Sequence, residues 1–174
     1  QEFVRAFTGS NRYILDYLME EVFEQQPADV QDFLLKTSIL DRLSASICDA
    51  VCERSDSQAL LFELEKANLF VVPLDQSREW YRYHHLFADL LRHRLHSFGK
   101  HAEPLLHTRA SQWYEANGFL TEAVQHALTA EDWEAAGRVI TRAVPSTVQN
   151  GQLVTLHGWL EALPDNLVRD NLEL

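Results

Sequence analysis

Four side chains of metal-binding types follow one helical stripe: His85, Asp89, His93 and His96. Imidazole nitrogens and carboxylates are ordinary ligands of zinc and other transition metals. The spacing of i, i+4, i+8 and i+11 spreads the four groups along about 16 Å of helix, which is too far for one ion. We therefore expect no metal site and interpret the stripe as a solvated face with partial positive charge.

Two cysteines, Cys48 and Cys52, lie four residues apart. On a helix their Cβ atoms share one face in nearly parallel directions, which suits a disulfide poorly. A zinc site would need two more ligands at a matching spacing, and none follows. We expect both thiols to be reduced and to behave as small buried hydrophobic groups.

Paired carboxylates occur at Glu20 with Glu21 and at Glu63 with Glu65. Neither pair stands near a nucleophile, and charge runs of this kind are usually solvated helix faces. No serine lies in a GxSxG sequence. The sequence predicts no catalytic residue and no enzymatic activity for this chain.

The composition bounds the kind of protein. The chain has 174 residues, 15 basic and 26 acidic, giving a net charge of −11, and 46% of its residues are hydrophobic. A length and composition of this kind are typical of a soluble globular chain. The acidic balance argues against binding to nucleic acid or to an anionic membrane surface, because phosphate binding needs Lys and Arg.

Helical periodicity dominates the first seventy residues. An amphipathic helix is expected over Asn11 to Gln25, with Ser10 as its cap. A second helix opens at Pro27, Ser44 can cap a third, and a fourth ends near Asn68.

The period then changes to that of strands. LFVVPL at 69–74 and EWYRY at 79–83 predict a β-hairpin around the turn DQSR, and Pro73 predicts an unpaired outer edge. The helical pattern returns directly afterwards, so the order is that of a winged helix. The third helix of the winged helix, which is the fourth predicted along the chain, carries Glu63 and Glu65 beside Lys66. These carboxylates would repel DNA phosphates. We expect no DNA-binding residue here.

From about residue 100 the chain is predicted to be entirely helical. One helix stops at Gly118, DWEAAGRVITRAV is capped by Asp132, and LVTLHGWLEALP ends at Pro164. Four residues have the spacing of a tetratricopeptide repeat: Tyr114, Gly118, Ala123 and Ala130. The predicted fold is mainly α, a winged-helix domain with a small β-hairpin followed by antiparallel helical hairpins of a superhelix similar to tetratricopeptide repeats.

Three segments carry a family resemblance that covers essentially the whole chain. They begin FTGSNRYILDYLMEEV at residue 7, NLFVVPLDQSREWYRYHHLF at residue 68 and LHTRASQWYEANGFLTEAVQ at residue 106. The most specific piece is WYRYHHLFADLLR at positions 80–92. The sequence resembles the middle of the large ATP-dependent LuxR-type bacterial transcription regulators, the MalT-like family.

That resemblance implies a domain order. Residues 1–26 would be a helical segment from the end of a nucleotide-binding module, 27–100 a winged-helix domain, and 101–174 a helical arm with the start of a sensor array. No GxxxxGK[ST] occurs in the chain, so we expect no cofactor here and ATP or ADP only in the parent protein. The family implies a cytoplasmic protein.

Related signal-transduction ATPases carry a Met-His-Asp motif whose histidine contacts the β-phosphate of ADP. Tyr83, His84 and His85 occupy the similar place here, with Tyr83 for Met and His85 for Asp. The resemblance assigns nucleotide sensing in the parent protein to His84, with His85 as the second choice. The alternative is that His84 caps the following helix or packs beside Trp80.

A second candidate set is aromatic and consists of Trp113, Tyr114, Trp133 and Trp159. These side chains could form an interaction surface, since helical repeat arrays commonly hold partners on one face. They could equally be the large interlocking residues of helix hairpins.

The resemblance implies a non-catalytic regulatory fragment that couples nucleotide state to movement of the arm and to self-association. Its partners would be the nucleotide-binding domain of the same protein, further copies of that protein, and a small-molecule or protein inducer. The alternative is a stand-alone protein-interaction module of the tetratricopeptide type.

Overall fold

The computed structural model describes residues 17–98 and 102–164, and the chain divides into two compact units between residues 100 and 101. Most of the described residues are helical, and the strands found among them form a two-stranded antiparallel sheet in the first unit. The predicted fold class, mainly α with a small hairpin, is confirmed.

The first unit contains, in chain order, a π-helix (Leu18–Phe23), α1 (Ala28–Thr37), α2 (Ala45–Cys52), α3 (Ser57–Lys66), β1 (Val71–Pro73), β2 (Tyr81–Tyr83) and α4 (His85–Phe98). Pro27 immediately precedes α1 with a φ of −54°, a value that proline fixes and that suits entry into a helix. At the start of α3, the carboxylate of Asp49 accepts a 3.0 Å hydrogen bond from the Ser57 N–H. Helix α1 packs against both α2 and α4.

The first helical segment differs from the expected α-helix. Its predicted start, with the Ser10 cap, lies outside the described residues, and the described part is a π-helix. The Glu24 N–H donates to the Met19 carbonyl at 2.9 Å, a bond between residues five apart. This winding brings Leu18 and Phe23 onto one side, and both are buried. The Arg94 guanidinium of α4 lies 5.7 Å over the Phe23 ring.

The hairpin forms where the sequence predicts it, with shorter strands. Val72 faces Arg82 across the pair, and Pro73 faces Tyr81. Tyr81 exchanges both of its backbone hydrogen bonds, each 2.8 Å, with Leu43 on its other side. Because Pro73 therefore stands at a pair without hydrogen bonds between the two strands, its missing N–H lies on the outer edge of β1.

A carboxylate closes the turn between the two strands. Asp75 accepts hydrogen bonds from the Ser77 hydroxyl at 2.7 Å, the Glu79 N–H at 3.1 Å and the Trp80 N–H at 2.8 Å. These bonds lower the pKa of Asp75, the Ser77 bond first, so the carboxylate remains ionised in the turn.

The second unit contains α5 (Glu103–Ala116), α6 (Leu120–Thr129), α7 (Trp133–Gln149) and α8 (Leu153–Ala162), each packed against the next. Small residues line the contacts, and Ala110, Ala123 and Ala136 are fully buried. The Ser111 hydroxyl of α5 donates to the Ala123 carbonyl of α6 at 2.8 Å. Gly118 adopts a φ of +82° after α5, a conformation that glycine reaches without strain.

Helix α7 is longer than the sequence predicts. DWEAAGRVITRAV indicates a helix that ends before Pro145, but α7 continues through Pro145 to Gln149. Pro145 is exposed, while Ala143 and Thr147 on either side of it are buried. Burial of that face outweighs the backbone hydrogen bond that proline removes.

The predicted cap of α7 is confirmed, and it provides a test of local stability. The Asp132 carboxylate accepts a 3.1 Å hydrogen bond from the Ala135 N–H. Asp132→Ala should lower the free energy of unfolding of the second unit by about 1 kcal/mol, because the amide loses its partner. Urea unfolding measures this. Asp132→Asn keeps the acceptor and should retain most of the stability, and equal losses in both variants would contradict the capping role.

Candidate nucleotide-sensing site

His84 lies at the junction between strand β2 and helix α4. Its backbone N–H donates to the Phe70 carbonyl at 2.7 Å, which extends the hairpin pairing by one position. Its own carbonyl accepts from the N–H groups of Phe87 and Ala88, both at 2.9 Å, and so starts α4. The backbone of His84 is therefore fixed by the hairpin and by the helix together.

The imidazole of His84 is half-buried between two rings. It meets the Phe70 ring edge-on at 6.1 Å, and the His85 ring lies 4.4 Å from it. Nδ1 of His84 is buried and has no hydrogen-bond partner within the described chain. A buried polar atom in this state costs about 1–3 kcal/mol relative to a satisfied one.

The second candidate, His85, is exposed and is the first residue of α4. The two imidazoles are therefore neighbours at the positive end of one helix, where partial charge favours an anion. The ring of Trp80, at the entry to β2, has the Arg42 guanidinium 5.5 Å from its centre.

The core beneath this junction holds the hairpin on helix α1. The hydroxyl of Tyr83 is 2.7 Å from the Thr37 hydroxyl, which also donates to the Phe33 carbonyl at 2.6 Å. Burial raises the pKa of Tyr83 well above its ordinary value, so the phenol stays neutral. The Phe87 ring lies 5.9 Å from Tyr83 and 5.5 Å from Phe70.

A guanidinium connects α4 to the end of α1. Arg92 Nε donates to the Ser38 carbonyl at 2.8 Å, and one of its Nη atoms contacts Asp41 at 2.9 Å. Arg92 also lies 3.7 Å from Asp89. Asp89 of the histidine stripe is therefore engaged in an ion pair, and residues 17–98 and 102–164 contain no cluster of three or more metal-ligating side chains.

Both cysteines are free, as the sequence predicts. Cys48 is buried, but Cys52, at the end of α2, is only half-buried and not fully buried as expected. Burial is the main cause that raises the pKa of Cys52 to about 12, and it raises that of Cys48 as well. At neutral pH the two thiols stay protonated and are poor nucleophiles and poor metal ligands.

The four aromatic candidates do not lie together on one exposed surface. Tyr114 and Trp159 are buried, while Trp113 and Trp133 are half-buried. Trp113 stacks on Phe119 with ring centres 6.0 Å apart, and it meets Tyr114 edge-on at 5.4 Å. Three of the four thus have identified packing or burial inside the second unit.

A feature that the sequence reading missed lies between α5 and α6. Nδ1 of His107 is 2.8 Å from Nδ1 of His126, and their rings are 4.9 Å apart. The available signal was that each histidine adjoins a buried small or apolar position, Leu106 or Ala127, on its own helix. Their distance from each other depended on the packing of the two helices.

No helix in the described ranges has both the length and the apolar character needed to cross a lipid bilayer.

Comparison with known proteins shows that this chain is similar to MalT-type regulators. The sequence model of the MalT winged helix domain matches residues 19–105. The whole chain is 33% identical to the HTH-type transcriptional regulator MalT of Klebsiella pneumoniae subsp. pneumoniae and covers 19% of it. The MalT regulator of Yersinia pestis is likewise 33% identical over 100% of the chain and is covered to 19%.

A relative with a different name shares the same segment. The serine/threonine-protein kinase PknK of Mycobacterium tuberculosis is 31% identical over 96% of the chain, which covers 15% of the kinase. The chain thus spans less than a fifth of the length of these relatives. Because the winged-helix model covers half of the chain, the chain belongs to the MalT winged helix domain family.

Proposed function

We propose that this chain is a non-catalytic regulatory part of an ATP-dependent LuxR-type transcription regulator. In this proposal the nucleotide bound to another domain of the same protein is sensed by His84, and the response passes to the helical hairpins and to self-association. The observation that carries the proposal is the placement of His84, which lies between β2 and the start of α4 with the His85 ring beside it.

The chemistry of an imidazole fits this role. A protonated ring nitrogen donates a hydrogen bond to a phosphate oxygen, and the positive end of α4 adds to the attraction. The chain lacks the sequence GxxxxGK[ST], so the backbone cradle for the phosphates would belong to another domain. His84 would supply one contact, and because its Nδ1 is enclosed by the chain, Nε2 is the ring nitrogen that would make it.

The connections of His84 support transmission of a signal. Its N–H holds β1 through Phe70, and its carbonyl holds the first turn of α4. Any displacement of His84 must therefore move the hairpin and the helix together. In the proposed mechanism ADP favours a closed state through this contact, and ATP with an inducer favours an open state that self-associates.

The names of the relatives also favour a regulatory part. Regulators named for a helix-turn-helix and a protein kinase share this segment at 31–33% identity. Transcription regulation and protein phosphorylation are different activities. A segment that both kinds of protein share is therefore better assigned to regulation than to either activity. We accordingly assign no reaction to this chain.

His84→Ala in the whole protein should speed ADP release by about 10–100-fold, because a hydrogen bond to a charged group contributes about 1.5–3 kcal/mol. Basal transcription activation should rise in parallel. Stopped-flow release of a fluorescent ADP analogue measures the rate.

Two variants control this test. His93→Ala removes an exposed histidine from the same helix and should leave ADP release unchanged. His85→Ala should have a smaller effect than His84→Ala. Wild-type release from the His84 variant would contradict the proposal, and a larger effect at His85 would move the contact to that residue.

A second candidate function has one observation in its favour. Helix α8 exposes Leu153 and Val154, the latter 87% exposed, which is compatible with a protein-interaction module of the tetratricopeptide type. The two functions differ in nucleotide dependence. Self-association of the whole protein should change between ADP and ATP if the chain transmits nucleotide state, and should be the same in both if it is an interaction module.

A further inference from the structure

The histidine pair, His107 on α5 and His126 on α6, joins two neighbouring helices through their imidazoles. The Nδ1 atoms are 2.8 Å apart, which is hydrogen-bonding distance between two ring nitrogens. His107 is buried and His126 is half-buried. Tyr114 stacks on the His126 ring at 5.3 Å and shields it further.

The bond between two Nδ1 atoms depends on the number of protons that the pair carries. One Nδ1 must hold a hydrogen and the other must offer its lone pair, so two neutral rings in different tautomers satisfy the geometry. One added proton can bind to Nε2 of the ring that donates, and the hydrogen bond between the two Nδ1 atoms is then kept. A second added proton places N–H against N–H and sets two positive charges side by side.

Charged groups lie on each of the three helices α5, α6 and α7. Glu103 lies one turn before His107 on α5, and Glu122 lies one turn before His126 on α6. On α7, which packs against α6, Arg138 and Arg142 reach α5 and are both paired with Glu115.

Burial dominates the titration of both rings. It lowers the pKa of His107, with Glu103 opposing that effect. Burial, followed by the charge of His107, lowers the pKa of His126 to about 4. The nearby carboxylates therefore do not offset the lowering of the histidine pKa values that burial causes.

We propose that the histidine pair is an acid-sensitive latch that holds α5 against α6 while it is neutral and releases this contact when both rings are protonated. Both histidines lie in the second unit, and the proposal does not rest on the nucleotide contact at His84. The latch makes the packing of the first helical hairpin responsive to protons.

The direction of the response follows from linkage. A histidine whose pKa is lowered in the folded state binds fewer protons there than in the opened state. The contact is therefore strongest above the ordinary histidine pKa of 6.5, and it weakens as the pH falls from there toward about 4. Each histidine can increase the opened fraction by up to about tenfold per pH unit in this window.

Native-state hydrogen exchange of the full chain tests the latch. Protection of amides in α5 and α6 is measured at about pH 7 and about pH 5, after correction for the intrinsic exchange rate. The wild type should show at least a tenfold larger opened fraction at the lower pH. His126→Gln removes one titrating ring and should show a clearly smaller change, whereas His157→Gln removes an exposed histidine of α8 and should behave as the wild type.

Equal pH dependence in the wild type and in the His126 variant would overturn the proposal. Should His126→Gln fail to fold, NMR titration of the imidazole nitrogens in the wild type decides the question. Depressed titration of both rings that coincides with faster amide exchange in α5 and α6 supports the latch. Titration of both rings near 6.5, or without any change in exchange, overturns it.

Discussion

Replacement of Phe87 by alanine is expected to lower the free energy of unfolding of the first unit by about 3–5 kcal/mol. The Phe87 side chain is fully buried and contacts the rings of Phe70 and Tyr83. It therefore packs α4 against the aromatic rings at the base of the hairpin. Removal of its ring leaves a cavity beneath His84 that the surrounding backbone cannot readily close.

Urea unfolding of the full chain, monitored by hydrogen exchange of the amides in α4 and the hairpin, measures the loss of unfolding free energy. His93→Ala on the exposed face of α4 is the matched control and should stay within about 0.5 kcal/mol of the wild type. A loss below about 1 kcal/mol for Phe87→Ala would mean that the aromatic cluster does not hold the hairpin on α4.

The second large effect is expected at Tyr114 in the second unit. Tyr114→Ala should cost about 3–5 kcal/mol of unfolding free energy, as for other large buried aromatic residues. The Tyr114 ring is 4% exposed, meets Phe119 edge-on at 6.0 Å and stacks on His126 at 5.3 Å. Its loss would disturb both α5 and α6.

Hydrogen exchange of α5 to α7 during urea unfolding measures this effect. Gln112→Ala, on the exposed side of α5, is the control and should be nearly neutral. Trp113→Ala should cost less than Tyr114→Ala because Trp113 is only half-buried. If Tyr114→Ala leaves the second unit as stable as the wild type, Tyr114 belongs to an open surface and not to the core.

Local patterns were sufficient for most elements of the fold. The change from helical to alternating periodicity at LFVVPL and EWYRY identified the hairpin, because residues that favour strands flank a polar turn. Asp132 identified the start of α7, since a carboxylate before an alanine-rich helix is a strong cap signal. These features depend on residues a few positions apart.

Features that depend on tertiary packing were not accessible in the same way. Leu43 pairs with Tyr81 as an isolated β-bridge. A single paired residue produces no alternating pattern in the sequence. The π-helix at Leu18–Phe23 and the continuation of α7 through Pro145 both follow from which side chains are buried, and burial overrides local preference.

The candidate site shows the same division. The position of His84 between hairpin and helix followed from the sequence, and the family resemblance assigned its role. The burial of its Nδ1 without a partner did not follow, because it depends on where Phe70 and His85 place their rings. The histidine pair in the second unit joins residues 19 apart in sequence, and only the packing of α5 on α6 brings them together.

The distance between the His84 imidazole and bound ADP, in a crystal structure of the whole protein with that nucleotide, tests the sensing role most directly. We predict that one ring nitrogen of His84 lies within about 3.2 Å of a phosphate oxygen. A His84 ring that remains packed on Phe70 without any nucleotide atom near it, or a phosphate held by His85 in its place, would contradict the assignment.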